Sequence, residues 1–368
     1  MKIQKSPYLI VLKDIYNTNK SVLRDLLMHR DFDIDCLELL NNLQNPVQYE
    51  SAVSMYGKER IDYMLANNLL LDAQDIWLRT NIDSLEIEIC SNCNWRCQYC
   101  PVSNQPKPAR TMPMELFREI IDKAAEDGNI KYVTFNSYNE PLLDKYFFER
   151  ADYLSKTNIK LRLHTNGSLL TKETLDALKS LGVLEFICFN IPSIDKIEFK
   201  RMTGSSALEK VMQNIDYAFE IGLPAEFSVQ GTREELKRNL KPIQCRYKDY
   251  VKDITPWGTY DRAGLLKNKY AQNIYIAGKL FGGCHSVLNW LNISVDGDCF
   301  ICSNDYYQKY AWANIRDGSI KDICNSPKAV ELRRYIFGDL LPGEDFMCRR
   351  CVTMKRAKLL NRFQKGET

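Results

Sequence analysis

The sequence lacks the features that mark membrane proteins, secreted proteins and nucleic-acid-binding proteins. No segment approaches the roughly 20 apolar residues of a membrane-spanning helix, and the first residues contain no apolar core of a signal peptide. There is little excess charge, since 50 Lys and Arg residues face 47 Asp and Glu residues and the net charge is +3. This balance predicts neither a nucleic-acid nor a membrane partner. We therefore expect a cytoplasmic protein, and its 368 residues allow two or three domains.

The 13 cysteines do not suggest a disulfide framework, which belongs to short secreted chains. Three of them, Cys93, Cys97 and Cys100, form a CxxxCxxC motif that contains no fourth ligand. Structural zinc sites close all four coordination positions, and ferredoxin-type clusters also take four cysteines each. Three cysteines would leave one iron of a 4Fe–4S cluster open, and an open coordination site is a place for chemistry. A structural metal knuckle is the alternative interpretation.

The motif resembles that of the radical SAM superfamily, whose open iron binds the amino and carboxylate groups of S-adenosylmethionine (SAM). Tyr99, just before the last cysteine, matches the aromatic residue that this family carries there. The resemblance covers roughly residues 85–351. It implies that an electron from the reduced cluster cleaves SAM into methionine and a 5′-deoxyadenosyl radical, which abstracts hydrogen from an unactivated C–H bond.

From Leu85 onward, apolar runs alternate with helical patterns. The predicted strands cover residues 85–90, 131–136, 159–164, 184–190, 226–230 and 250–255, and the predicted helices cover residues 114–126, 144–155, 171–181, 206–220 and 234–243. Six strands alternating with helices predict a parallel α/β fold, either a barrel or an open doubly wound sheet. The resemblance implies a partial (β/α)6 TIM-like barrel over residues 81–265. Its site would lie at the C-terminal ends of the strands, and the cysteine motif does follow the first strand.

Residues 1–80 have a different pattern. A strand is predicted at residues 8–12, and a short strand is possible at residues 69–71. Helices are predicted at residues 34–43, 49–56 and 58–66. This outline is similar to a winged-helix module of the kind that recognises leader peptides in many peptide-modifying radical SAM enzymes. A helical cap that only packs on the barrel is the alternative. A DNA-reading module is not favoured, because no Lys/Arg face is concentrated there.

The resemblance also implies SAM contacts at the ends of the later strands. Asn139, Glu140 and Pro141 stand where the family carries Gly-Gly-Glu-Pro. Glu140 would accept a hydrogen bond from the SAM amino group and Pro141 would fix the turn. Asn139 replaces a glycine whose contacts are mainly made by the backbone. The other candidates for SAM binding are Thr165 and Asn166 after the third strand, Asn190 and Ser193 after the fourth, and Arg201, which is either a partner of the SAM carboxylate or a solvated arginine.

A second cysteine set follows the predicted barrel. Cys284 is followed after twelve residues by Gly297 and after four more by Cys302, and Cys348 and Cys351 form a CxxC pair. Asp296-Gly297 between alternating apolar residues predicts a hairpin. The arrangement resembles the twitch domain, a shortened SPASM domain, here over residues 266–368, and it implies one auxiliary 4Fe–4S cluster. Zinc is the alternative, because two cysteine pairs also make a tetrahedral site.

Two further residues are candidates for chemistry near a substrate. Free cysteines are usually buried by packing, but Cys188 shares strand parity with Asn190 and is a possible hydrogen donor inside the barrel. Arg262, in the connector after the last predicted strand, is a possible substrate contact.

The combined prediction is a radical SAM oxidoreductase or epimerase that modifies a ribosomally made peptide in natural-product biosynthesis. The first rival is a twitch-type dehydrogenase or epimerase of a small polyol, sugar or aminocyclitol. The second is a noncatalytic iron–sulfur or zinc protein. A basic C-terminal tail predicts a solvated helix end, and the alternative is a contact with an acidic reducing partner such as flavodoxin or ferredoxin. Its residues are Lys355, Arg356, Lys358, Arg362 and Lys365.

Overall fold

The protein is described by a computed structural model over residues 1–13, 21–78, 80–251, 254–266, 274–280 and 284–354. The basic tail therefore lies outside the described residues. The chain forms two compact units. The first comprises residues 1–81, 273–289 and 324–368, and the second comprises residues 82–272 and 290–323. Residues 266–368, predicted as one domain, contribute to both units. Among the described helices, none has the length and apolar character needed to cross a bilayer.

The N-terminal part of the first unit contains two small antiparallel sheets and three helices. The elements are β1 (Lys2–Lys5), β2 (Leu9–Lys13), β3 (Ser21–Asp25), β4 (Arg30–Asp33), α1 (Leu37–Asn42), β5 (Val47–Gln48), α2 (Tyr49–Tyr56), α3 (Lys58–Ala66) and β6 (Leu70–Asp72). Strand β1 lies between β5 and β6, and β3 lies between β2 and β4. Buried side chains of both sheets and all three helices, among them Ile3, Leu23, Leu40 and Ile61, form one core.

The helices predicted at residues 49–56 and 58–66 are confirmed, and the strand predicted at residues 8–12 lies at Leu9–Lys13. Sequence reasoning missed β3 and β4, because charged residues interrupt their apolar pattern. Arg24 on β3 is paired in register with Asp31 on β4, and their side chains form an ion pair of 2.7 Å. Cross-strand pairing of opposite charges explains how segments this polar still form a sheet.

The second unit is built on a nine-stranded sheet in which parallel pairing dominates. Its first six strands are β7 (Ser84–Ile87), β8 (Tyr132–Thr134), β9 (Lys160–Thr165), β10 (Leu184–Asn190), β11 (Ala225–Gly231) and β12 (Thr255–Gly258). Each of the first five pairs in parallel with the strand that follows it in the chain. This confirms the predicted parallel α/β fold. The sixth strand starts later than predicted, because a turn closed by Val251 N donating to Tyr247 O follows the preceding helix.

Seven helices connect these strands or follow them. They are α4 (Pro101–Asn104), α5 (Met114–Asp127), α6 (Phe147–Ser155), α7 (Lys172–Leu181), α8 (Lys196–Thr203), α9 (Leu208–Glu220) and α10 (Arg233–Tyr247). The limits of helix α7 could be predicted from the sequence because a capping residue lies at each end. The hydroxyl of Thr171 accepts a hydrogen bond from Thr174 N at its start, and Gly182 ends it with a left-handed φ of 60°.

The remaining three strands, β13 (Trp290–Ile293), β14 (Asp298–Phe300) and β15 (Ala311–Asn314), extend the same sheet. Strand β13 pairs in parallel with β7, and β14 returns antiparallel to β13. The predicted hairpin at Asp296-Gly297 is therefore confirmed. Gly297 has φ of 90°, and a Cβ there would lie 3.1 Å from Ile315 Cγ2, so another residue would be strained and crowded.

The later part of the first unit contains a short helix at Ser286–Asn289 and a longer one at Pro327–Ile336; a further short helix covers Ile320–Cys324. Arg333 on the longer helix is 2% exposed, and its guanidinium donates to Trp77 O at 2.8 and 3.0 Å and to Cys324 O at 2.6 Å. These bonds tie the C-terminal helix of this unit to its N-terminal part, and each donor satisfies a backbone carbonyl.

Candidate functional site

Cys93, Cys97 and Cys100 lie on the loop that follows β7, at the C-terminal end of the parallel strands. Two backbone bonds hold this loop against the end of α8: Arg96 N donates to Thr203 O at 3.0 Å and Gln98 N donates to Met202 O at 2.9 Å. All three cysteines are half-buried. The loop therefore presents three thiols from a position fixed by β7 and α8.

Burial raises the pKa of Cys93 to about 11 and also raises the pKa of Cys97 and Cys100. The charges of the other two thiolates raise the pKa of Cys97 further, which places the three groups within electrostatic reach of one another. Arg262 and Arg96 act in the opposite direction on Cys100. Thiolates in such a site need a cation as a partner, and a bound metal centre supplies that charge.

The donor set consists of three thiols and fits an iron–sulfur cluster. In a cubane cluster each cysteine binds a different iron, so its ligands surround the cluster without converging on one point. Three soft thiol donors on one loop match that requirement.

Glu140 joins this loop to the ends of β8 and β9. It is 1% exposed, and its Oε1 accepts hydrogen bonds from Thr165 Oγ1 at 2.7 Å and Leu142 N at 3.3 Å. Its Oε2 accepts one from Asn166 N at 2.8 Å. Burial raises the pKa of Glu140 to about 7, although these three bonds act against the shift. Since a carboxylate can accept about four bonds, one position on it remains for a ligand.

Four other predicted residues lie on the segments that follow β7, β8 and β9. Asn166 donates to Asn94 Oδ1 at 2.8 Å, and its Nδ2 lies 4.0 Å from Cys93 Sγ. Asn139 accepts a hydrogen bond from Ser137 N at 2.8 Å, and its Nδ2 lies 3.5 Å from Cys90 Sγ. Pro141 begins a buried 3-10 turn. Tyr99 is 3% exposed, and its hydroxyl has no hydrogen-bond partner in the described part of the chain.

The fourth-strand candidates differ in what they contact. Ser193 is buried, donates to Asn239 Oδ1 at 3.1 Å and accepts from Asp195 N at 3.1 Å. Asn190 ends β10, and its buried Oδ1 has no hydrogen-bond partner within the described residues. The structure thus fixes Ser193 in the protein's own hydrogen bonds and leaves an acceptor of Asn190 available.

Arg201 is held by two carboxylates. Its guanidinium binds Glu198 at 2.7 Å and Glu235 at 2.6 Å, and it also donates to Gln98 Oε1 in the cysteine loop at 3.2 Å. Glu235 caps α10 together with Thr232. Sequence reasoning missed Glu235 as a site residue, although the Thr232-x-x-Glu235 spacing is a capping-box signature of the helix start.

Three polar side chains lie in register on the neighbouring strands β9, β10 and β11. Cys188 is 5% exposed and is paired in register with His164 on β9 and Glu226 on β11. Burial raises the pKa of Cys188 to about 12 and lowers the pKa of His164 to about 4. At neutral pH the thiol is therefore protonated and the imidazole uncharged.

The carboxyl of Glu86, on β7, makes the stability of the protein depend on pH in a way that can be tested. Burial raises its pKa to about 7, against the effects of Thr134 and of the Arg162 guanidinium. The folded chain therefore keeps this proton to a higher pH than the unfolded chain. Stability from Glu86 is complete below about pH 4.5 and is lost as the pH rises through about 7.

We expect Glu86→Gln to remove up to about 3 kcal/mol of the fall in unfolding free energy between these pH values. The measurement is denaturant unfolding at several pH values for wild type, Glu86→Gln and the control Glu226→Gln, which changes an exposed carboxyl. The same pH slope in Glu86→Gln and in wild type would contradict the assignment.

The second cysteine set is divided between the two units: Cys284, Cys348 and Cys351 belong to the first and Cys302 to the second. In the first unit, burial raises the pKa of Cys284, and the charge of Cys351 raises it further. The CxxC turn is closed by Cys351 N donating to Cys348 O at 3.2 Å.

Arg349, inside this CxxC turn, is a structural residue that sequence reasoning missed. It is 3% exposed and donates to the carbonyls of Ile276 at 2.7 Å, Gly278 at 2.7 Å and Gly343 at 2.8 Å. One guanidinium thus fixes three backbone segments around Cys348 and Cys351.

Two sequence families match the chain. Residues 87–242 match the Radical SAM superfamily, and residues 284–352 match an iron–sulfur cluster-binding domain, SPASM. A GTP 3′,8-cyclase of Actinobacillus pleuropneumoniae is 31% identical over 177 residues, which are 44% of this chain and 51% of the relative. The chain thus spans about half the length of this curated relative.

Longer but weaker likenesses also exist. An S-adenosyl-L-methionine-dependent 2-deoxy-scyllo-inosamine dehydrogenase of Niallia circulans is 24% identical over 274 residues, or 73% of this chain and 91% of the relative. Streptococcus suis SuiB, solved with its precursor peptide SuiA, superposes with a TM-score of 0.58 at 15% identity and covers 90% of each chain. At this identity the superposition supports the fold alone.

Proposed function

We propose, from the radical SAM domain and the iron–sulfur cluster-binding domain that this chain carries, that it uses SAM to begin radical chemistry at a substrate C–H bond. The observation that carries the proposal is the placement of Cys93, Cys97 and Cys100 on one loop at the C-terminal edge of the parallel strands. A 4Fe–4S cluster with SAM on its open iron supplies there the electron that cleaves SAM to methionine and a 5′-deoxyadenosyl radical.

In this proposal Glu140, Thr165 and Asn166 form the SAM-facing corner. The remaining acceptor position of Glu140 takes the SAM amino group, while the Thr165 and Asn166 bonds hold the carboxylate in place. Asn139, Pro141, Tyr99, Asn190 and Ser193 line the same edge. Arg201 already donates to Glu198, Glu235 and Gln98, which leaves one N–H for the SAM carboxylate, so its role stays a prediction.

We further propose that Cys284, Cys302, Cys348 and Cys351 hold one auxiliary 4Fe–4S cluster. Four cysteine ligands leave no vacant iron for a substrate. Such a centre suits acceptance of an electron from the substrate radical, and it favours two-electron oxidation. Flavodoxin or ferredoxin is the class of partner that we propose for reducing the enzyme in the cytoplasm.

The proposed substrate is a ribosomally made peptide. The N-terminal part of the first unit, the predicted leader-binding module, has two helices that are consecutive in the chain, α2 and α3, and two small three-stranded sheets. The large hydrophobic side chains of Met55 and Tyr63 on these helices are exposed. The likeness to SuiB extends over most of this chain, and SuiB was solved with a precursor peptide.

A specific observation also favours a second candidate, dehydrogenation or epimerisation of an aminocyclitol or sugar. The Niallia circulans dehydrogenase aligns along nearly three quarters of this chain. Epimerisation would use Cys188, whose thiol keeps its proton at neutral pH and can return a hydrogen atom to the substrate.

The two candidates are separated by incubating the reduced, cluster-loaded protein with SAM and each substrate class in D2O. The peptide arm uses synthetic peptides from small reading frames beside the gene, and the other arm uses 2-deoxy-scyllo-inosamine. We expect a peptide to raise 5′-deoxyadenosine formation and to change mass by −2 on oxidation or +1 on epimerisation. Met55→Glu/Tyr63→Glu is expected to weaken peptide binding. Turnover of the aminocyclitol alone would reject the peptide proposal.

A further inference from the structure

Tyr138 and Arg262 meet beside the cysteine loop, on the C-terminal side of the parallel strands. Tyr138 follows β8 by four residues and Arg262 follows β12 by four. The guanidinium carbon of Arg262 lies 5.5 Å from the centre of the Tyr138 ring. Arg262 and Tyr138 both lie within electrostatic reach of Cys100 in the cysteine loop.

Each of these two residues carries a buried polar atom that the protein does not use. The Tyr138 hydroxyl and the Arg262 Nε have no hydrogen-bond partner among the described residues. Ser303 lies beside the Tyr138 hydroxyl, but the two groups do not meet in hydrogen-bond geometry. No carboxylate within the described ranges forms an ion pair with Arg262. Buried donors without acceptors are costly, so the native structure rarely keeps them without a ligand.

The neighbouring polar groups of Tyr306 and Lys107 already have partners, so they do not compete with these two donors for a ligand. Tyr306 packs edge-on against Tyr138 at 5.4 Å, and its hydroxyl donates to Gln105 O at 2.8 Å. Lys107 lies over the Tyr306 ring, but its ammonium is paired with Glu88 at 2.8 Å. The available donors of the cluster are therefore those of Tyr138 and Arg262.

The backbone supports the same conclusion. Tyr138 has φ of 62°, and Arg262 and Ala263 have φ of 50° and 56°. Left-handed φ values are unfavourable for residues with a Cβ, and they are most unusual for a bulky one. Strained residues that meet from two different strand ends indicate that the fold holds this pair in place for a ligand.

We propose that Tyr138 and Arg262 form a binding site for a carboxylate of the substrate. A guanidinium supplies one positive charge and paired N–H donors, which match one carboxylate, and the phenol adds a further O–H donor. A phosphate carries up to about two charges and would leave part of its charge unpaired here. The substrate class is thus an acidic molecule, such as a peptide with an Asp, a Glu or a C-terminal carboxylate near the reacting carbon. This inference rests on the proposed function, because it assumes that a substrate enters beside the cysteine loop.

The test measures thermal midpoints of the anaerobic full-length protein during titration with sodium acetate, against sodium chloride at equal ionic strength. A bound anion raises the midpoint with a saturating dependence that gives an apparent Kd. We expect acetate to stabilise wild type, and Arg262→Gln to weaken its Kd about tenfold or more. Tyr138→Phe should weaken it by a smaller factor and Arg262→Lys by an intermediate one. Arg118→Gln, at an exposed arginine paired with Glu149, should leave it unchanged.

Three results would overturn the proposal. They are equal acetate dependence in wild type and Arg262→Gln, tighter binding of inorganic phosphate than of acetate, and loss of the acetate response when SAM is added. The last would mean that the site takes the SAM carboxylate. If Arg262→Gln does not fold, the acetate Kd of Arg262→Lys, which keeps the charge, is compared with that of wild type instead. SAM cleavage by wild type is measured separately, and its absence would reject the proposed function without changing the anion result.

Discussion

Replacing Cys93, Cys97 and Cys100 together by alanine is expected to lower the iron content of the reconstituted protein from about eight to about four atoms per chain. The formation of 5′-deoxyadenosine should be lost completely. The reason is that the loop supplies all the protein ligands of one proposed cluster, while the other four cysteines are untouched. Iron, sulfide and 5′-deoxyadenosine are measured after anaerobic reconstitution and chemical reduction.

The matched control is Cys36→Ala/Cys245→Ala, which removes two thiols outside both proposed ligand sets, one half-buried and one exposed. It should keep about eight irons and full SAM cleavage. Zinc in place of iron in wild type, or SAM cleavage that survives the triple variant, would reject radical chemistry for this chain. A Cys348→Ala/Cys351→Ala variant separates the two sets, because it should lose the auxiliary iron and keep the iron of the first loop.

Asp144→Ala is expected to destabilise the second unit by about 3–5 kcal/mol. Asp144 Oδ2 binds Arg150 Nε at 2.6 Å, and both side chains are fully buried. The guanidinium also donates to the carbonyl of Met112 and lies over the Phe117 ring. Removing the carboxylate would leave a buried charge without its partner, and that is far more costly than losing an exposed pair.

Glu149→Ala is the matched control for this variant, because it breaks the ion pair between Arg118 and Glu149, whose side chains are 46% and 47% exposed. Its expected cost is about 0–1 kcal/mol. Thermal or denaturant unfolding of the two variants under the same anaerobic conditions gives the comparison. If both variants unfold at the same denaturant concentration, the buried Asp144–Arg150 pair contributes no more to the free energy of unfolding than the exposed Arg118–Glu149 pair does.

Local signals made much of the parallel α/β unit predictable. Helix α7 is bounded by Thr171 and Gly182, whose capping effects act within a few residues. The order of six parallel strands followed from the alternation of apolar runs and helical patterns. Strands β3 and β4 were not predictable in this way, since their stability includes a cross-strand pair of Arg24 and Asp31 and a core shared with distant helices.

The connections between the predicted site residues could not be predicted from the sequence. The cysteines and Glu140 occupy motif positions, whereas the bonds of Glu140 to Thr165 and Asn166 join segments about 25 residues apart. The pairing of Arg201 with Glu235 and the contact of Tyr138 with Arg262 depend on which strand ends become neighbours. These contacts are set by the tertiary fold, and they leave no local pattern in a single sequence.

The pairing of β13 with β7 has a consequence for how such a chain can be divided. Strands β13–β15 belong by sequence to the iron–sulfur cluster-binding family, yet they complete the sheet of the radical SAM strands. A gene truncated after residue 265 would encode a barrel whose first strand has an unpaired edge over Ser84–Ile87, and exposed edges of this kind promote aggregation. Recombination at that boundary is therefore disfavoured, because strands from both sides of it share one sheet.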